Sequence, residues 1–163
     1  MGIKDVLNSK DFIKQFNAPE IGKVGVLFSS FDCMHAGHMI MLKDATTQCD
    51  YLVIGLQTNP TIDRADTKNK PIMSLEERYE MVLGCKYIDD IFIYETEKEL
   101  HDFLKNFKWD VRILGSDWNG KKYTGHEIKK GVIYWHERSH NFSSTNIRKA
   151  IFERELEKRK AVL

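Results

Sequence analysis

His35 and His38 stand three positions apart, with Gly37 between them, in the run Ser29-Ser30-Phe31-Asp32-Cys33-Met34-His35-Ala36-Gly37-His38. An apolar run containing Val24, Val26, Leu27 and Phe28 precedes this segment, and an amphipathic run with Met39, Ile40, Leu42 and Ala45 follows it. The two histidines therefore fall where a strand turns into the N-terminus of a helix. Backbone N–H groups in that first turn have no helical partner and the helix dipole is positive there, so the place attracts phosphate. The imidazoles add mobile or positive donors aimed at the same anion. Gly37 leaves phosphate free to approach the backbone. Ser30 can bond a phosphate oxygen or the neighbouring turn. Asp32 either braces the turn through backbone N–H groups or touches a ligand directly, and residue type leaves both open.

Other groups suited to anions lie farther along the chain. Arg138 carries a planar fork that matches phosphate oxygens. Ser143, Ser144 and Thr145 sit at the start of the last helix and form a second anion cradle, although Ser143 also reads as a plain N-cap. His140, between them, reads as a rim residue. Arg64, Lys68 and Lys70 belong to a polar connection over 58–73, long enough to suggest function. Each of these cations alone reads as solvated; as a group they suggest at least one contact. Arg78 either joins an ion network around the site or, by default, forms a helix-surface ion pair.

The elements that position these residues alternate. Strands are expected at about 23–29, 51–56, 91–94, 111–114 and 132–135, and helices at about 38–48, from Ser74 to about Gly84, over 96–107, and after Ser143 or Ser144. Ser74-Leu-Glu-Glu77 is a capping-box pattern. Tyr51-Leu-Val-Ile-Gly-Leu is almost continuously apolar, as suits a parallel strand covered on both faces. Repeated βα alternation predicts an α/β fold with a doubly wound, parallel, five-stranded sheet. Right-handed crossovers put the strand C-terminal ends along one edge, where ligands bind. The turns bearing His35, Asp117 and Arg138 follow the first, fourth and fifth strands, so one pocket can hold all three. Residues 1–22 read as an N-terminal helical extension, with Ile3, Val6, Leu7, Phe12, Ile13 and Phe16 at helical spacing and Pro19 and Gly22 closing it. Residues 23–163 read as a single domain.

Phe31-Asp32-x-x-His35-x-Gly37-His38 resembles the nucleotide-binding signature of the cytidylyltransferase family. Arg138-Ser-His-Asn-Phe-Ser143-Ser144-Thr145-Asn-Ile147 resembles that family's second motif. Gly115-Ser116-Asp117-Trp118 is similar to the turn of its glycerol-3-phosphate cytidylyltransferase subgroup. The resemblance runs from about Lys23 to about Ala150. It implies a Rossmann-like nucleotidyltransferase fold and an enzyme that transfers CMP from CTP to a small alcohol phosphate such as glycerol 3-phosphate, with release of pyrophosphate. By the same resemblance His35, His38 and Arg138 are catalytic. Ser29, Ser30, Phe31, Asp32, Gly37, Lys86, Asp117, Trp118, Ser143, Ser144 and Thr145 bind nucleotide, and Arg64, Lys68 and Lys70 meet the acceptor phosphate. Asp117 is expected to hold ribose or brace its loop. Trp118 either packs near the base or anchors the loop to the core. Mg²⁺ is implied as part of the triphosphate complex, with no dedicated protein ligand, and a homodimer is implied by the resemblance alone. Ser29 stands where most relatives carry glycine, Ser144 replaces a usual threonine, and Lys86 replaces a usual arginine, losing the bidentate fork.

Composition narrows the alternatives. The chain has 163 residues, 42% hydrophobic and 30% charged, with 25 Lys+Arg against 24 Asp+Glu and a formal charge of +1. Nothing there suggests a nucleic-acid surface, and no run approaches a membrane span. Met1-Gly2 opens like a myristoylation site, but Val6 stands where Ser or Thr is needed. Three cysteines, Cys33, Cys49 and Cys85, without paired spacing suit a reducing cytoplasm. The histidine pair could instead be half of a zinc site, although none of the cysteines forms a second pair. The motif also resembles the ATP-binding signature of class I aminoacyl-tRNA synthetases, but a chain this short without basic surplus is not expected to recognise tRNA. An adenylyltransferase using ATP, and a nucleotide-binding module without turnover, are the remaining alternatives.

Overall fold

The structure, a computed structural model, describes residues 3–16, 20 and 22–161. Pro19 and the Met1-Gly2 pair lie outside the described residues. Five strands, β1 (Val24–Ser29), β2 (Tyr51–Gln57), β3 (Asp90–Tyr94), β4 (Val111–Gly115) and β5 (Val132–His136), form one sheet in the order β3-β2-β1-β4-β5. Every pairing between neighbours is parallel. The connections carry α2 (Ala36–Ala45), α3 (Thr61–Arg64), α4 (Leu75–Leu83) and α5 (Glu97–Asn106), and α6 (Ser144–Lys160) follows β5. The expected doubly wound sheet is present, its strands within a residue or two of the expected bounds.

Side chains alternate across the sheet, as strand geometry requires. Leu27, Leu52, Ile54, Leu56 and Ile91 face α2 and α4, where they pack with Leu42, Ala45, Tyr79 and Val82. Val24, Val26, Val53, Phe92 and Tyr94 face the other way and pack with Leu100, Phe103, Leu104 and Phe107 around α5. The N-terminal segment joins this second layer. α1 (Ser9–Gln15) is capped by Asn8, whose side chain accepts the N–H groups of Lys10 and Asp11 at 3.0 Å each. Phe12 on α1 is 3% exposed and touches the rings of Phe16, Phe92, Phe103 and Phe107.

β1 and β4 flank the point where strand order reverses. Their register comprises only Gly25↔Val111 and Val26↔Arg112, so their C-terminal ends, Phe28–Ser29 and Leu114–Gly115, are not paired with each other. A crevice opens there, as the topology predicts.

Two elements differ from expectation. The 58–73 connection contains the short helix α3, which its charged composition had hidden. The helix after the histidine motif begins at Ala36 rather than 38, which places His38 in its first turn. No described helix is long and apolar enough to cross a membrane.

Candidate active site

The turn between β1 and α2 is held by its own histidines. His35 is the N-cap of α2, and its Nδ1 accepts the N–H of Gly37 at 3.0 Å. His38 Nδ1 accepts the N–H of His35 at 3.3 Å. Two imidazoles thus do what Ser and Glu do in an ordinary capping box. A ring nitrogen that accepts a hydrogen bond carries no proton, so each ring is neutral with its proton on Nε2. Burial, aided by His35 and Arg138 and opposed by Asp32, lowers the His38 pKa to about 4. Burial, then Arg138 and His140, also lowers that of His35. The donors expected to be mobile or positive are therefore fixed and neutral in the free protein. The rings lie 4.1 Å apart. A Cβ at position 37 would sit 2.6 Å from His140 Cε1 and 2.9 Å from His35 Cε1, so Gly37 makes room for imidazoles as well as for a ligand. Phe31 and Cys33 both have φ of +48°, a left-handed conformation that side chains resist and that gathers at functional turns.

Two cavities adjoin this turn. The smaller, about 270 Å³, is lined by His35, Gly37, His38, Asp117, His136, Arg138 and His140. The larger, about 640 Å³, is lined by Ser30, Arg64, Lys68, Arg112, Lys122 and Tyr123. Phe28, Ser29, Leu114 and Trp118 border both, so the cavities meet at the parted ends of β1 and β4. In the smaller one, the Nε2 atoms of His136 and His140 are buried without a protein partner. Such atoms call for a polar ligand or water.

The fold gathers most of the expected residues here. His35, His38 and Arg138 share the smaller cavity. Arg138 donates from Nη2 to the carbonyl of Phe142 at 2.7 Å. Ser143 caps α6 by accepting the N–H of Asn146, while the Ser144 hydroxyl donates to the Asp32 carbonyl at 2.9 Å. Thr145 is exposed in the first turn of α6. Ser29 Oγ accepts the N–H of Phe31 at 3.3 Å. Asp117 and Trp118 lie in a 3-10 turn after β4, with the Lys68 ammonium 5.8 Å from the Trp118 ring. The bracing reading of Asp32 looked to its own turn, and the structure extends it. Its carboxylate accepts the N–H groups of Ile72 and Met73 at 3.0 Å each and meets Arg148 at 2.8 Å. It braces the end of the 58–73 connection and α6 against β1.

Seven expected residues line neither cavity: Asp32, Ser143, Ser144 and Thr145, placed as above, and Phe31, Lys70 and Lys86. Phe31 is fully buried in the core, its ring 5.3 Å from that of His38. Lys70 is exposed, and its carbonyl accepts a hydrogen bond from Arg148. Lys86 lies between α4 and β3, at the opposite sheet edge, with its ammonium over the Tyr87 ring.

Sequence reasoning missed four features. Arg78 is 2% exposed rather than on a helix surface. It donates to the carbonyls of Ser30, Gln57, Thr58 and Met73, tying the ends of β1 and β2 to the connection. Arg148 clamps Asp32. Arg112 sits in the floor of the larger cavity, and an arginine inside the otherwise apolar Val111-Arg-Ile-Leu was the available signal. Asp44 on α2 meets His136 Nδ1 at 2.6 Å and accepts the Tyr134 hydroxyl. Residues 92 apart in sequence offer no local signal for such a pair. Among the described residues no three His, Cys, Asp or Glu gather in a group that could hold a metal ion, and the three cysteines are separate free thiols.

Comparisons with known proteins give the family and the fold. The cytidylyltransferase-like family model matches residues 26–150. The chain is 33% identical over 113 residues to the bifunctional protein HldE of Campylobacter concisus, covering 68% of this chain and 24% of that protein. It is 32% identical over 95 residues to ethanolamine-phosphate cytidylyltransferase of Dictyostelium discoideum, covering 58% of this chain and 26% of that protein. The matches thus span about a quarter of each relative's length. Among solved structures, the lipopolysaccharide core biosynthesis protein of Thermoplasma volcanium superposes with a TM-score of 0.58 at 21% identity, covering 74% of this chain and 99% of that one, and shares the fold.

Proposed function

The chain belongs to the cytidylyltransferase-like family, and from that premise we propose that it transfers CMP from CTP to a small phosphorylated alcohol, glycerol 3-phosphate being the acceptor its Gly115–Trp118 turn suggests. The observation that carries this reading is the pair of neutral Nε2–H donors, His35 and His38, sharing a cavity with Arg138.

In the proposed reaction the nucleotide arrives as its Mg²⁺ complex, with the triphosphate in the smaller cavity. An oxygen of the acceptor phosphate attacks the α-phosphorus from the side of the larger cavity. A new P–O bond forms, the bond to the bridging oxygen breaks, and pyrophosphate leaves with that bonding pair. Negative charge grows on the α-phosphate oxygens and on the bridge. His35 and His38 donate to these oxygens, and donors fixed in advance by backbone hydrogen bonds need little reorganisation. Arg138 grips the outer phosphates and helps pyrophosphate depart. The histidines need not take a proton, because a phosphate monoester is already a nucleophile near neutral pH. Arg64 and Lys68 in the larger cavity offset the charge of the acceptor phosphate. The free thiols suit a cytoplasmic protein, and apolar side chains exposed on α6 suit a homodimer.

The test is pyrophosphate release. Release that requires Mg²⁺, CTP and glycerol 3-phosphate together is the expected result, with ATP a poor substitute. His35→Asn and His38→Asn should each reduce kcat by about 10²–10³. Release with ATP but not CTP would replace this reading by adenylyl transfer, and binding of CTP without release under any acceptor would replace it by a binding module.

A further inference from the structure

The larger cavity differs from a site for a cationic headgroup in every feature such a headgroup needs. An ammonium or trimethylammonium group is held by a free carboxylate or an open aromatic face. Both carboxylates in this wall are already engaged. Glu97 pairs with Arg64 at 2.6 Å, accepts the Thr124 hydroxyl, and accepts the Gln57 amide at 3.3 Å. Glu127 meets His101 at 2.5 Å and His126 at 3.3 Å. The aromatic faces carry cations too. The Arg112 guanidinium lies 5.5 Å from the Phe28 ring and 5.3 Å from the Tyr123 ring, and Lys68 lies over Trp118.

Arg112 itself is the informative residue. It is 3% exposed and donates to the Thr124 carbonyl at 2.6 Å, and the carboxylates of Glu97 and Glu127 act on it only from a distance. Its Nε is buried without a partner, as is the Nε of Arg64. Burial depresses its pKa to about 10. A buried guanidinium with an unbonded Nε is costly unless a ligand supplies lone pairs.

We propose that this cavity takes the organic part of an acceptor rich in hydroxyl oxygens and free of positive charge, a phosphorylated polyol or sugar, and that Arg112 excludes amine headgroups by occupying the Phe28 and Tyr123 faces. This rests on the reading of the larger cavity as the acceptor side. It separates the chain's acceptor from the ethanolamine phosphate named for one of its relatives. A cavity of about 640 Å³ has the size of sites for small organic ligands.

The experiment compares acceptors that share a phosphate and differ at the far end: glycerol 3-phosphate and a hexose 1-phosphate against phosphoethanolamine and phosphocholine. Calorimetry with Mg²⁺ and a non-hydrolysable CTP analogue reads binding, and pyrophosphate release with CTP reads turnover. Glycerol 3-phosphate or the hexose phosphate should bind at least about 30-fold more tightly than either amine. Arg112→Gln should lose about 10-fold or more of that affinity. Lys122→Glu, an exposed wall position, should narrow the preference without unfolding the protein. Equal binding of both classes, tighter binding of an amine, or binding of neither class overturns the acceptor assignment. Selective binding without pyrophosphate release leaves that assignment standing and overturns the transferase reading instead.

Discussion

His38 shows how a single side chain can carry both stability and chemistry. Its ring is held neutral because burial and two neighbouring basic groups oppose a proton, so its pKa in the folded chain is about 4 against 6.5 for the free side chain. Between those values the unfolded chain binds more protons than the folded one. Stability is therefore full above about pH 6.5, falls as pH drops toward 4, and levels off below that. The loss from this group reaches about 3 kcal/mol at most. Urea midpoints measured from pH 8 to pH 4 should show that slope, and His38→Gln should flatten it; an unchanged slope in the variant would assign the acid sensitivity elsewhere. A bound polyanion reverses the balance by favouring the imidazolium, so nucleotide binding near pH 5.5 should take up protons. Calorimetry in buffers of different ionisation enthalpy reads that uptake directly. Gly37 belongs to the same small assembly. Gly37→Ala would push a methyl group against His35 and His140, so kcat should fall while the urea midpoint changes little.

The secondary elements obey a different logic, that of burial on both sheet faces. Phe12 on α1 packs into the aromatic layer over α5, and Phe12→Ala should cost about 3–5 kcal/mol, read as a lower urea midpoint at constant m value. Little loss would mean that the N-terminal segment only rests on the domain. Arg78→Leu should cost a further few kcal/mol, because it strips buried carbonyls of Ser30, Gln57 and Thr58 of their donor. The five strands were legible because apolar runs such as Tyr51–Leu56 are long and bounded by polar turns. The α4 start was legible because Ser74 and Glu77 cap locally, and their reciprocal bonds are present at 3.1 and 2.7 Å. The gathering of His35, His38 and Arg138 followed from topology alone, since parallel strands send every βα turn to one edge. What stayed hidden depends on tertiary contact. Arg78 looks like any polar helix residue until the carbonyls it faces are in place. Asp44 and His136 are joined only by the packing of α2 on β5. Asp32 reaches to Ile72, Met73 and Arg148, a partnership no turn propensity encodes.

At the scale of the whole molecule, the longest helix is the one least supported by the core. α6 spans 17 residues, about 25 Å at 1.5 Å per residue, and none of its residues is buried. Its ties to the sheet, through Ser144 and Arg148, lie in its first two turns. Beyond them Ile151, Phe152 and Leu156 are 54%, 67% and 41% exposed. Helices of this length are marginal in water without tertiary packing, and its ion pairs, such as Lys149 with Glu153 at 3.8 Å, add only tenths of a kcal/mol. α2, α4 and α5 each bury apolar side chains against the sheet. A second copy of the chain would cover α6, and the smaller cavity would gain from it, because Phe142, which borders that cavity, directly precedes the helix, and Ser144 and Arg148 on the helix hold Asp32. A frayed α6 would loosen both. Light scattering after size exclusion should therefore give about twice the chain mass at micromolar concentration. The double variant Ile151→Glu, Phe152→Glu should give a monomer with lower helical ellipticity and a raised KM for CTP, while the core and its urea m value hold. A wild-type monomer with full helicity would show instead that α6 stands on its own, and that the exposed apolar side chains play no part in assembly.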